Sequence, residues 1–377
     1  MKIIYIANVR IPTEKAYGYQ ICKMCEEFSS QGVEVQLWVP ARDTGQIKDD
    51  AFFFYGLKNN FIIKKIDSSD FYKYLESPGK FLFWLQSFWF LSYLIFIKID
   101  KSAIIYTRDA EINWIFRLRG YQTVFEAHNW PNKNWLYKFL IGRDTKVVAI
   151  ARGLRDLFLK NNWLDGKILV APDGVDLAKF DIDLSREQAR NKLNLPLDKK
   201  IILYIGHLYE WKGAQDLVEA AALLDGNYLT VFVGGVDSDV TIFKEKNKAL
   251  IENGKIVVYR HQPREAMPRW LKAADILVLP NKSREKISSH FTSPLKLFEY
   301  MASQRPIVAS DLPSIREILN EKNCLFFKSD NAKDLAAKII FLSEHQEIMD
   351  QIAKQAYLDV QNYDWGKRAE KIIKFIK

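Results

Sequence analysis

A chain of 377 residues is long for one domain and comfortable for two, each able to bury a core of its own. Hydrophobic content of 48% with 27% charged residues is ordinary for a folded protein. The formal net charge of +9 suits an anionic partner (nucleotide or acidic membrane) or a Lys-rich surface, and without RNA-binding signatures or zinc-finger spacing it sets nucleic acid aside.

The chain opens on a strand-like run, 2–6, and no signal peptide is read ahead of it. The next segment, Arg10 to Gln20, leads into a helix, and Gly18 there would let backbone approach a ligand closely. Cys22 and Cys25 form a C-x-x-C inside that helix. No second Cys or His pair completes a metal site, so two buried helix residues is the reading, and three cysteines fit a reducing cytoplasm. After a strand-like run at 33–39 comes FLFWLQSFWFLSYLIFI, residues 81–97. It is shorter than a membrane span of roughly 20 apolar residues, and Gln86, Ser87 and Ser92 interrupt it. It reads either as a buried helix or as a helix dipping into a membrane surface. Trp84, Phe88, Trp89, Phe90 and Tyr93, with Lys73, Lys80, Lys98 and Lys101 nearby, favour interfacial contact.

Further strand-like runs at 103–107, 123–127, 147–151 and 168–171 alternate with helical patterns, as in parallel-sheet α/β proteins. Ligands gather at the carboxyl ends of such strands. Arg108 ends one of them and could meet an acidic acceptor, or form a surface turn with Asp109. His128 and Trp130 follow another, in Phe-Glu-Ala-His-Asn-Trp. Pro172-Asp173-Gly174-Val175-Asp176 is turn chemistry, and it places the domain boundary at 178/179.

The second half repeats the alternation, with runs at 201–205, 229–233, 256–259, 276–279, 307–310 and 325–328. Its first strand leads into Gly206-His207-Leu208-Tyr209-Glu210-Trp211-Lys212-Gly213. Asp237-Ser238-Asp239 spells a metal-binding D-x-D but reads as an exposed loop, and Gly234-Gly235 is too short for a dinucleotide fingerprint. Ser293 to Ala302 is the most informative segment. Ser293 suits an N-cap and Pro294 the first helical position. The helix start favours an anion such as phosphate. Glu299 falls on the apolar face with Leu295, Phe298 and Ala302, where a carboxylate needs a partner. A nucleotide fits, with its diphosphate at the helix tip and its ribose diol on Glu299.

The 293–302 segment resembles the donor-binding helix of family 4 glycosyltransferases, retaining enzymes of the GT-B fold. The resemblance extends in order along nearly the whole chain. It implies two facing Rossmann-like domains with parallel sheets, here 1–178 on the acceptor side and 179–360 for the nucleotide sugar. A C-terminal helix, 361–377, would cross back to the first domain. The resemblance assigns Glu299 to the ribose. Gly206, His207, Lys212 and the helix start at Ser293, Pro294, Leu295 and Lys296 go to the diphosphate. Gly18 would face the diphosphate, and His128 would lie over the donor sugar. The catalytic set is then His128, Lys212 and Glu299, with Arg108 and Trp130 on the acceptor. His207 stands where the family commonly has Arg, Asp173 where it has Asn, and Phe291 where it has the first Glu of its E-x7-E pair.

The expected activity moves a sugar from a UDP- or GDP-sugar, UDP favoured, to a glycan or lipid-linked acceptor of the cell envelope. No cofactor or metal beyond that substrate is expected, and the expected location is cytoplasmic, peripheral on the membrane through 81–97. A nucleotide-sugar epimerase and a non-catalytic nucleotide-sugar or glycan-binding partner are the alternatives. Phe291 and His207 favour the non-catalytic one.

Overall fold

In the computed structural model the described residues are 1–42, 47–67, 80–130 and 134–377, without the side chains of 80–84, 134 and 287. They divide into two compact units, Met1–Pro172 with Trp365–Lys377, and Asp173–Asp364. These boundaries differ by a few residues from the 178/179 read from turn chemistry and the 360/361 implied by the resemblance. Asp173 N donates to Ser293 Oγ at 2.9 Å, and Val175 forms a parallel bridge with Asp364. The chain therefore joins the second unit as soon as it leaves Pro172.

The first unit holds a parallel sheet of β1 (Lys2–Ile6), β2 (Glu34–Pro40), β3 (Ile62–Ile66), β4 (Ile104–Thr107), β5 (Thr123–Ala127), β6 (Lys146–Ala149) and β7 (Ile168–Val170). Their order is β3-β2-β1-β4-β5-β6-β7. The inner strands are near-continuous apolar runs because helices cover both faces of a parallel sheet. The sequence reading contained no strand at β3. This edge strand, Ile-Ile-Lys-Lys-Ile, buries only Ile66 fully, so its pattern is that of a surface segment.

The second unit has β8 (Lys200–Ile205), β9 (Tyr228–Val233), β10 (Ile256–Tyr259), β11 (Ile276–Leu279), β12 (Ile307–Ser310) and β13 (Leu325–Phe327), ordered β10-β9-β8-β11-β12-β13 and parallel throughout. In each sheet the strand order reverses once, between β1 and β4 and between β8 and β11. Loops leaving neighbouring strands there part to opposite faces, which opens a crevice at the carboxyl ends.

The C-terminal helix, Trp365–Ile376, belongs to the first unit. Trp365 is buried edge-on to Tyr19, Arg368 Nε donates to Pro172 O at 2.9 Å, and Lys146 Nζ donates to Phe375 O at 2.8 Å. The helix Lys80–Phe96 is buried along one face and exposed along another, so it is not a wholly buried helix. Phe90 and Leu94 are fully buried in the core with Ile4, Ile6 and Trp38, whereas Phe88, Trp89, Tyr93 and Phe96 are exposed. Lys73 and the side chains of Lys80 and Trp84 lie outside the described residues. Among the described residues no helix is long and apolar enough to cross a membrane.

Candidate active site

At the β8/β11 crevice of the second unit, β8 ends in Gly206 at φ +138°, a conformation that favours glycine. The chain then turns through Glu210–Lys212 into Gly213, at φ +70°, where a Cβ would overlap the carbonyl oxygen of Pro280. Glycine is therefore a steric requirement there. The turn is anchored to the segment after β11, since Trp211 O accepts from Lys282 N at 3.0 Å and from Ser288 Oγ at 3.4 Å. This fixes Lys212, whose ammonium lies 5.2 Å from the Trp211 ring centroid. Burial lowers its pKa to about 8. The His207 ring stacks on Tyr209 with centroids 4.9 Å apart, and His207 O accepts from Tyr204 Oη at 2.6 Å.

The helix Leu295–Ala302 follows β11 on the other side of the crevice. Ser293 is not its cap. Pro294 holds the N-cap position without a side-chain bond, and the Ser293 hydroxyl accepts from Asp173 N instead. No side chain of the helix's own start therefore covers the amides of Leu295 and Lys296, the first two of the helix. The helix is buried nearly all round, with Leu297, Phe298, Tyr300 and Met301 at 0% exposure, so it is held rigidly. Tyr300 Oη accepts from Ile205 N at 2.8 Å and locks the helix to the end of β8. Glu299 is 7% exposed, and its carboxylate pairs with the Arg264 guanidinium from the turn after β10. Arg264 has no signature in the sequence, although a buried carboxylate required some such partner.

The first unit places His128 just beyond β5. Its Nε2 lies 2.6 Å from Glu126 Oε1. Glu126 is 1% exposed and also meets Tyr106 Oη, Gln20 Nε2 at 3.4 Å and Arg368 Nη2 at 3.4 Å. Burial works to raise the Glu126 pKa, but Arg368, then His128 and Arg108, outweigh it and hold the carboxyl well below the usual range. Burial and Arg108 lower the pKa of His128 to about 4 against the pull of Glu126. At neutral pH the imidazole is uncharged, Nε2–H donates to the carboxylate, and Nδ1 is the acceptor nitrogen. Glu126 was visible in the sequence as the one acid within the apolar strand 123–127, which was the available signal for a buried partner.

Three other residues fare differently. Gly18 lies inside the helix Ala16–Ser30, and the position of its absent Cβ is taken by Tyr55 Oη, so packing explains the glycine. Trp130 packs edge-on against Phe158 at 4.9 Å and Tyr137 at 5.3 Å within an aromatic cluster. Arg108 makes no surface turn with Asp109. Asp109 accepts from Asn8 N at 2.9 Å, which ties the loops after β1 and β4 together, and Arg108 Nη1 is buried without a hydrogen-bond partner among the described residues. Asp237-Ser238-Asp239 is the first turn of the helix Asp237–Lys246 rather than a loop, with Asp237 paired to Arg260 at 3.3 Å. Cys22 and Cys25 are both buried thiols.

Two doubly wound parallel sheets with a C-terminal helix returned to the first unit define the GT-B architecture. The Anabaena protein HepE, solved with UDP and glucose, superposes with a TM-score of 0.74 over 99% of this chain and 98% of its own, at 15% identity. Residues 185–359 match the family described as Glycosyl transferases group 1. The chain has the GT-B fold, and most of its second unit is similar to the group 1 glycosyl transferases. It is 27% identical over 271 residues to TuaC of Bacillus subtilis, a glycosyltransferase named for teichuronic acid biosynthesis. It is 30% identical over 229 residues to the N,N'-diacetylbacillosaminyl-diphospho-undecaprenol alpha-1,3-N-acetylgalactosaminyltransferase of Campylobacter jejuni. The matches cover 71% and 59% of this chain and 65% and 57% of those relatives, under two thirds of their length in each case.

Proposed function

We propose that the chain is a retaining, metal-independent glycosyltransferase that takes a UDP-sugar, in preference to a GDP-sugar, on its second unit. The observation that carries this reading is the β8/β11 crevice, where a cationic turn, an uncapped helix start and a buried carboxylate converge. Lys212 and the amides of Leu295 and Lys296 would hold the diphosphate, and Glu299 the ribose diol. The bond from the anomeric carbon to the diphosphate breaks, and the acceptor oxygen bonds to the same face of the sugar. The acceptor proton passes to the leaving diphosphate, whose growing charge Lys212 stabilises. His128, with Arg108 nearby, would serve the acceptor at the carboxyl ends of the first sheet. The HepE complex with UDP supports a uridine donor.

The test is a thermal-shift panel of UDP- and GDP-sugars, followed by transfer from whichever binds. A ligand at about 100 times its dissociation constant adds roughly 2.7 kcal/mol of stability. Transfer should persist in EDTA, and a strict divalent requirement would count against the mechanism. Phe291 and His207 support a second reading, a nucleotide-sugar-binding partner without turnover. Donor bound but never consumed would establish that one.

We propose further that the acceptor is a lipid-linked or cell-envelope glycan met at an anionic membrane surface. The exposed aromatic face of the helix Lys80–Phe96, continued by Lys98 and Lys101, supports this, as does the diphospho-undecaprenol in the Campylobacter relative's name. The protein should bind anionic vesicles weakly, and salt should weaken binding because exposed charges are screened over roughly 8–10 Å. Replacing Trp89 and Phe96 by Ser should lower vesicle binding without unfolding, since both rings are exposed. Unchanged sedimentation of the double variant would exclude this face.

A further inference from the structure

Lys296 lies at the second position of the helix Leu295–Ala302, and its role above is carried by its backbone amide. Its side chain presents a separate problem. The residue is 8% exposed, and Nζ is buried with no hydrogen-bond partner among the described residues. The ammonium lies 4.1 Å from the centroid of the buried Tyr204 ring, under the Gly206 turn, where a Cβ on Gly206 would stand 3.9 Å from Nζ. A cation of this kind is costly to bury, and one aromatic face recovers only part of that cost. Burial, and then repulsion from Lys212, drive its pKa well below the ordinary lysine value.

Among the described residues, the groups around it supply no counter-charge. Lys212 repels it, the Tyr204 phenol donates to His207 O, and Glu299, one turn along the helix, is held by Arg264. An ammonium kept unpaired at the start of a helix, beside a second lysine, calls for an anion of more than one charge.

We propose that Lys296 Nζ is the inner arm of a two-lysine clamp, with Lys212 the outer arm, that closes on the diphosphate of the donor. The clamp rests on the donor reading given above and adds to it a side-chain contact from beneath Gly206. The glycine leaves open the space between ammonium and ligand that any side chain would fill. Because the arms repel each other and are desolvated, the diphosphate binds them together with protons. Donor binding should therefore take up protons above pH 8, and affinity should fall as pH rises.

The experiment is calorimetric titration of UDP, GDP, inorganic pyrophosphate and uridine into wild type and three variants, Lys296→Met, Lys296→Gln and Lys212→Met. Titrations run at pH 8.5 in two buffers of different ionisation enthalpy. Lys296→Met should bind UDP and pyrophosphate about 20-fold more weakly, the loss of one charge-assisted hydrogen bond, while uridine binding stays unchanged. Its melting temperature should rise, because a methionine in that place removes a buried amine with no hydrogen-bond partner among the described residues. Lys212→Met should still take up a proton from the buffer on binding UDP, onto Lys296 Nζ. Wild-type UDP affinity in folded Lys296→Met and Lys296→Gln, with affinity lost in Lys212→Met, overturns the clamp and leaves the donor reading intact. No proton uptake in Lys212→Met overturns it without reference to a Lys296 variant. A wild-type chain that binds neither UDP, GDP nor pyrophosphate removes the donor reading and the clamp together.

Discussion

Lys212→Ala is expected to lower kcat by about 10²–10³-fold, the usual effect of removing one fixed group that stabilises transition-state charge. Lys212→Arg should retain more activity, because a cation remains on the same anchored turn. The magnitude rests on rigidity as well as charge. Trp211 O is bonded from Lys282 N and Ser288 Oγ, and Gly213 is compelled by Pro280, so the ammonium is positioned before substrate arrives. The pH profile separates this role from packing. A pKa of about 8 means the free protein carries the charge below that pH and loses it above, so kcat/KM should fall on the alkaline side. In Lys212→Arg that limb should move to higher pH. Equal losses in both variants with an unchanged profile would show that Lys212 acts by packing alone.

Glu299→Ala should weaken donor binding by about 10–100-fold, since hydrogen bonds to a charged group contribute roughly 1.5–3 kcal/mol. The variant should also lose discrimination between UDP and 2',3'-dideoxy-UDP, which lacks the diol the carboxylate is proposed to hold. Full discrimination in a folded Glu299→Ala protein would sink the assignment. The pairing with Arg264 shapes the expectation, because the truncation leaves a guanidinium short of its partner. Glu299→Gln keeps the shape of the side chain and should fall between wild type and Ala.

The elements that carry the candidate site were legible in the sequence. Gly206, Lys212, Gly213 and Glu299 could be placed because each is tied to local geometry: a strand end, a tight turn, an apolar helix face. Ser293 shows the limit of such local rules. Its type and position suit an N-cap, yet its hydroxyl accepts from Asp173 N, a residue distant in sequence. Gly18 shows another, because a glycine that would admit a ligand and one that admits the Tyr55 hydroxyl look alike in a sequence.

By itself the sequence determined the alternation of strands and helices, a division into two domains read at 178/179, a few residues past the division after Pro172, and a helix start beside a buried acid. Those follow from periodicity and turn chemistry, which act over a few residues. The tertiary structure alone decided which polar groups complete each buried charge. Arg264 comes to Glu299 from the turn after β10, and Arg368 to Glu126 from the C-terminal helix. The physical reason is common to both. A buried charge must be answered by whichever group the topology brings near, and in a doubly wound sheet the neighbours at the switch point are far apart in sequence.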